Sequence, residues 1–139
     1  MFRRFDAWRF RRRVRRALAL NTRGEVRADG LELVRLDNRL EVEWRARDVH
    51  PWDRAVPGGE PDAGFCEQLL DDTEAAVLRL FEALPEVNTI DVRVVRPSGG
   101  GLLAAGTVHR ASVEQASRLR SVGMRLRCLG ITYRFEGAG

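Results

Sequence analysis

Apolar and polar positions alternate along this chain with two different periods, and the changes of period mark out its elements. In LELVRLDNRLEVEWRA (31–46), Leu40, Val42, Trp44 and Ala46 fall on one side, while Glu41, Glu43, Arg45 and the following Arg47 fall on the other. A period of two, interrupted by Asp37-Asn38, residues that tolerate positive φ, predicts a β-hairpin with a tight turn. Between Asp62 and Leu84 the period becomes helical. Phe65, Leu69, Leu70, Ala76, Val77, Leu80, Phe81 and Leu84 share one broad arc, and Glu67, Asp71, Glu74 and Glu82 share the other. Asp62 suits an N-cap and Pro85 a stop.

Alternation returns in NTIDVRVVRP (88–97), with Ile90, Val92 and Val94 inward, and continues beyond SGGG in LLAAGTVHR (102–110). These stretches predict a second hairpin with a loose glycine tip. From Ser112 onward Leu119, Val122, Leu126 and Leu129 recur at helical spacing, with Ser112 as N-cap, Gln115 as its capping-box partner and Gly130 as a left-handed C-terminal residue. ITYRF (131–135) closes the chain as a strand. The order α-ββ-α-ββ-α-β predicts an α/β (α+β) two-layer sandwich. Its mixed sheet of about five strands is built from two hairpins plus a C-terminal strand, with two core helices and a basic N-terminal helix.

The N-terminal stretch MFRRFDAWRFRRRVRRALAL projects less cleanly. Phe10, Val14, Ala17 and Leu18 form a helical stripe, Phe2, Phe5 and Trp8 lie to another side, and arginines fill most of the rest. NTRGEVRADG (21–30) has linker chemistry. The expected organisation is therefore a basic arm over 1–20, a linker over 21–30 and a single domain over 31–136. A chain of 139 residues has room for one well-buried core.

Charge sharpens this division. The net charge is +4, but residues 1–20 hold eight arginines against Asp6, a charge of +7, so the remainder sums to −3. Basicity belongs to one arm, the signature of an interaction segment. All 24 basic residues are arginine, which removes Schiff-base, phosphate-loop and nuclease-type lysine chemistry. No stretch reaches the roughly 20 apolar residues of a membrane span. Cys66 and Cys128 are read as small buried hydrophobes in a reducing cytoplasm, and nothing in the pattern calls for a cofactor or a bound metal.

Candidate chemistry is sparse. Asp48, His50 and Asp53 lie together in the Pro/Gly-rich loop 48–61 and have the residue types of a divalent-metal or acid–base site, with His109 able to join them if the hairpins are neighbours. The simpler reading is that both Asp residues cap turns and His50 is held extended by Pro51. Gly99–Gly101 lead into a strand rather than a helix, so they do not form a phosphate cradle. The order helix, hairpin, helix, strand over 62–135 is similar to part of the restriction-endonuclease-like core, with Asp91 where those enzymes carry a metal-binding Asp. The next strand, LLAAGTVHR, lacks the Glu-x-Lys such a site needs, which implies at most a degenerate nuclease.

The arm thus carries the functional expectation. Eight guanidiniums suit phosphates, and Trp8 and Phe5 suit stacking on unpaired bases. The leading expectation is a non-enzymatic binding or assembly module contacting nucleic acid or nucleoprotein through Arg3, Arg4, Trp8, Arg9, Arg11, Arg12, Arg13, Arg15 and Arg16. Three alternatives accompany it: a homo-oligomeric or protein-partner scaffold whose arm docks on the acidic helix 62–84, a small metal-dependent hydrolase or degenerate nuclease, and peripheral membrane contact.

Overall fold

Trp44, Leu40, Val42, Ile90, Val92 and Val94 are all essentially inaccessible to solvent, and they come from one side of two neighbouring strands. In the computed structural model, which describes residues 4–19, 31–46, 63–97 and 101–133, they floor a two-layer α+β sandwich. The elements run α1 (Arg4–Ala19), β1 (Glu32–Leu36), β2 (Arg39–Arg45), α2 (Ala63–Ala83), β3 (Thr89–Val95), β4 (Leu102–His109), α3 (Val113–Ala116), α4 (Val122–Leu129) and β5 (Ile131–Tyr133). The strands lie in the order β1-β2-β3-β4-β5. Only the β2–β3 pair is parallel, as it must be when α2 carries the chain from the end of one to the start of the other.

Each hairpin has a local cause. Asp37 takes φ 57° between Leu36 and Arg39, which face each other in register. The turn is then held against β3, because the Asn38 carbonyl accepts from the backbone N–H of Asn88 at 2.8 Å. In the second hairpin Arg96 N–H donates to Gly101 O at 3.0 Å and closes the glycine tip. Asp62 and residues 98–100 lie outside the described residues. Cys66 and Cys128 are not disulfide-bonded, and each is half-buried.

One expected element is divided. The single helix anticipated from Ser112 is a 3₁₀ turn (Arg110–Ser112), the short α3 and the separate α4. Ser112 sits in the helical region with no side-chain cap bond, so the capping box with Gln115 does not form. The true cap is Ser121, extended at φ −94°, ψ 145°, whose hydroxyl accepts from Met124 N–H at 3.1 Å. Arg125 stabilises the break. Its guanidinium donates to the carbonyls of Leu119 and Arg120, at 3.0 and 2.7 Å, which the interrupted helix would otherwise leave unbonded. Gly130 ends α4 in the left-handed region at φ 98°, and a side chain there would meet Thr107 O at 2.6 Å.

The helices cover one sheet face. α2 packs between α1 and α4, and Phe10, Val14, Ala17 and Leu18 of α1 belong to the same buried cluster as Leu69, Val77, Leu80, Phe81 and the sheet. Full burial of side chains the size of Phe10, Val14 and Leu18 stabilises by about 1.5–3 kcal/mol each. The basic helix is therefore a structural member of the domain. The C-terminal end of α2, which has no basic residue in its last turn, is closed by guanidiniums from distant segments. Arg110 donates to Leu84 O and Val87 O at 2.7 and 2.6 Å while lying 4.8 Å from the Phe81 ring centroid, and Arg13 donates to Ala83 O at 2.9 Å. Leu18→Ala should cost about 2–5 kcal/mol in urea unfolding if α1 is part of this core. A change within a few tenths of a kcal/mol would mean that α1 contributes nothing to it.

Candidate nucleic-acid interface

An α-helix turns through about 100° per residue, so the buried positions 10, 14, 17 and 18 dictate what the rest of α1 presents. Opposite them lies an outward arc of roughly 160° that carries Trp8, Arg9, Arg11, Arg12, Arg15 and Arg16, all exposed. Arg13 falls at the border between the two sets and behaves differently from its neighbours. Its guanidinium grips Glu86 with both terminal nitrogens, at 2.7 and 2.9 Å, beside the bond to Ala83 O. Arg35 reaches the same carboxylate at 3.9 Å and lies 4.7 Å from the Phe10 ring centroid. The hydrogen bonds from Arg13, aided by the positive charges of Arg13 and Arg35, hold the Glu86 carboxyl below its ordinary range.

The expectation that the arm's arginines turn toward the acids of 62–84 is not met at these positions. Among the described residues no carboxylate pairs with Arg11, Arg12, Arg15 or Arg16. Glu74 of α2 is instead taken by Arg125 of α4 in a two-pronged pair at 2.5 and 3.1 Å, and Glu86 lies just past the helix end. Arg12 lies over the Trp8 indole with its guanidinium carbon 5.4 Å from the ring centroid. An open groove of about 420 Å³ runs along this side, lined by Trp8, Arg9, Arg12, Arg13 and Arg16. Arg3, and the side chains of Arg4 and Phe5, lie outside the described part of the molecule.

The other candidate chemistry resolves into structural roles or falls outside the described residues, as Asp48, His50 and Asp53 do. His109 stands exposed at the end of β4, where its Nδ1 is 3.3 Å from Thr89 Oγ1. Among the described residues no group of three His, Cys, Asp or Glu side chains is arranged to hold a metal ion. Asp91, the position of interest in the nuclease comparison, is fully engaged. Arg39 binds both of its oxygens and Thr107 Oγ1 donates to Oδ1 at 2.6 Å. Those bonds, those of Arg39 first, hold its carboxyl below the usual range, with further help from the charges of Arg39 and His109. It sits on the open face of the sheet in a lattice of cross-strand contacts that includes Arg93–Glu43 at 3.1 Å.

No protein-family model, curated protein or solved structure matches this chain. Among the described residues no helix is long and apolar enough to cross a membrane.

Sequence reasoning groups Arg13 with the phosphate contacts and overlooks Arg110 and Arg125. The signal for Arg13 is positional, since it lies three residues after Phe10 and one before Val14, at the edge of the stripe. Nothing local marks the other two, whose acceptors are 23–26 and 5–51 residues away. Because the carboxyl of Asp91 is depressed in the folded state, its contribution to stability is present above roughly pH 4 and disappears as pH falls further. Asp91→Asn should therefore lower stability at neutral pH and flatten the acid-side decline in urea titrations. Parallel pH profiles for the two proteins would contradict this.

Proposed function

We propose that the protein is a non-enzymatic nucleic-acid-binding module that grips phosphates with the outward arc of α1. Arg9, Arg11, Arg12, Arg15 and Arg16 are the contacts, Arg3 and Arg4 are further candidates on sequence alone, and Arg13 is excluded because it is engaged with Glu86. The observation that carries this reading is the division of labour on one helix. Its apolar stripe is buried in its own domain, and four guanidiniums on the opposite side have no carboxylate among the described residues to neutralise them. Arginines held in this way on a rigid support form a fixed positive ridge, and their phosphate contacts release condensed counterions from a nucleic acid.

The same division weighs against the competing readings. A membrane-surface helix needs a broad apolar face to sink below the headgroups. In α1 the aliphatic side chains of that face are already in the core, and only Trp8 remains among the described apolar residues. A second subunit could not use the Phe10/Val14/Leu18 stripe without dismantling the domain. No described constellation supports a hydrolase.

Deleting residues 1–20 would remove four core side chains together with the arginines, so point changes are the appropriate test. Converting Arg11, Arg12, Arg15 and Arg16 to glutamine should abolish tight binding to an oligonucleotide at moderate salt. It should also reduce the slope of log K against log salt by roughly one for each phosphate that is no longer neutralised. Arg13→Gln should lower the unfolding midpoint and leave the salt slope unchanged. Equal slopes for wild type and the quadruple variant would refute the proposal.

A further inference from the structure

We infer that the nucleic acid held by α1 is single-stranded, with the Trp8 indole as the surface on which an unpaired base stacks; this rests on the nucleic-acid reading above. Trp8 has no structural role that its position explains. It is 57% exposed, while Phe10 two residues later is 3% exposed and Trp44 2%. What sets this exposed ring apart from the other exposed apolar side chains is its place in a row of guanidiniums, which offers a flat ring and positive charge together, as a single strand needs.

The surroundings of the indole match that ligand. Arg12 follows Trp8 by four residues, one turn along the same side of the helix, and its guanidinium lies 5.4 Å from the ring centroid. That contact sets a cation over one side of the indole, leaves stacking of a base to the ring's other side, and keeps positive charge next to the stacked nucleotide. Arg16 repeats the spacing one turn further on, so Trp8, Arg12 and Arg16 form a row about 12 Å long. The groove they line is open along its length, which fits a passing strand better than an enclosed small molecule.

The exposed indole, rather than the arginines, argues against duplex recognition. In a duplex the faces of the bases are covered by their neighbours, and sequence is read at base edges, largely by amide, hydroxyl and guanidinium groups. Between positions 8 and 16 the outward arc carries one Trp and five Arg; the arginines suit a duplex and a single strand alike, so the exposed ring is what separates the two ligands. On a duplex, Trp8 would face sugar and phosphate with nothing to stack on. On a single strand, every base offers a ring face, so binding is tolerant of sequence and depends on both the ring and the charges.

The experiment uses the full-length protein, a labelled mixed-sequence single-stranded oligonucleotide, the same sequence as a duplex, and vesicles of an anionic phospholipid. Wild type should prefer the single strand over both other ligands. Trp8→Ala should weaken single-strand binding roughly 5- to 100-fold while leaving duplex binding nearly unchanged, and Trp8→Phe should recover most of that affinity. Because Trp8 is outside the core, circular dichroism should show both variants folded like wild type. Wild-type binding that is indifferent to Trp8→Ala, or equally weakened on single strand and duplex, overturns the stacking inference and leaves the phosphate reading intact. Absence of binding to either oligonucleotide, or a preference for the vesicles, overturns both.

Discussion

Burial of Phe10, Val14, Ala17 and Leu18 against α2 and the sheet is the constraint on which the rest of this molecule depends. Four side chains on one stripe fix the rotation of α1 about its own axis, and that rotation decides which arginines are structural and which face solvent. Arg13, at the stripe's edge, is drawn to Glu86 and to the Ala83 carbonyl. The arginines on the opposite side are carried outward together. Their exposure follows from apolar packing, since isolated surface ion pairs contribute little on their own.

An arginine-only complement lets one side-chain type serve two purposes, separated by partners. Inside the fold, the planar fork of the guanidinium links elements far apart in sequence. Arg110 closes the end of α2 from beyond β4, Arg125 joins α4 to α2 across the break after α3, and Arg39 binds Asp91 across the parallel β2–β3 pair. These are geometries in which a forked donor has an advantage over a point charge. On α1 the same group is arrayed at Arg11, Arg12, Arg15 and Arg16 with no carboxylate partner among the described residues. The contrast between these two sets of guanidiniums is what separates the scaffold from the face proposed to bind.

Where periodicity is strong, the fold is readable from sequence. The alternation around Asp37-Asn38 predicts the first hairpin, and the arc from Phe65 to Leu84 predicts α2, because both signals arise from local geometry meeting a single core. The helix expected from Ser112 fails for an equally physical reason. Apolar residues at helical spacing run from Leu119 through Val122 and Leu126 to Leu129, across the break, but Ser121 offers a better cap than Ser112, and Arg125 satisfies the carbonyls that the break exposes. At the candidate site, the stripe on α1 is visible in projection, whereas the pairing of Arg13 with Glu86 depends on a contact 73 residues away and has no local signature. Asp91 illustrates the converse: its position in a strand suggests chemistry, and its actual neighbours, Arg39 and Thr107, make it a cross-strand structural anchor.

If one helix holds its domain with one side and a nucleic acid with the other, its arginines must differ in reactivity. Arginine-selective dicarbonyl modification, read residue by residue by mass spectrometry with and without an oligonucleotide, addresses both halves at once. Rapid modification of Arg11, Arg12, Arg15 and Arg16 is expected in the free protein, with slow modification of Arg13 and protection of the first four when the oligonucleotide is added. Uniform reactivity across all five arginines, or no protection on addition of the oligonucleotide, would contradict this division.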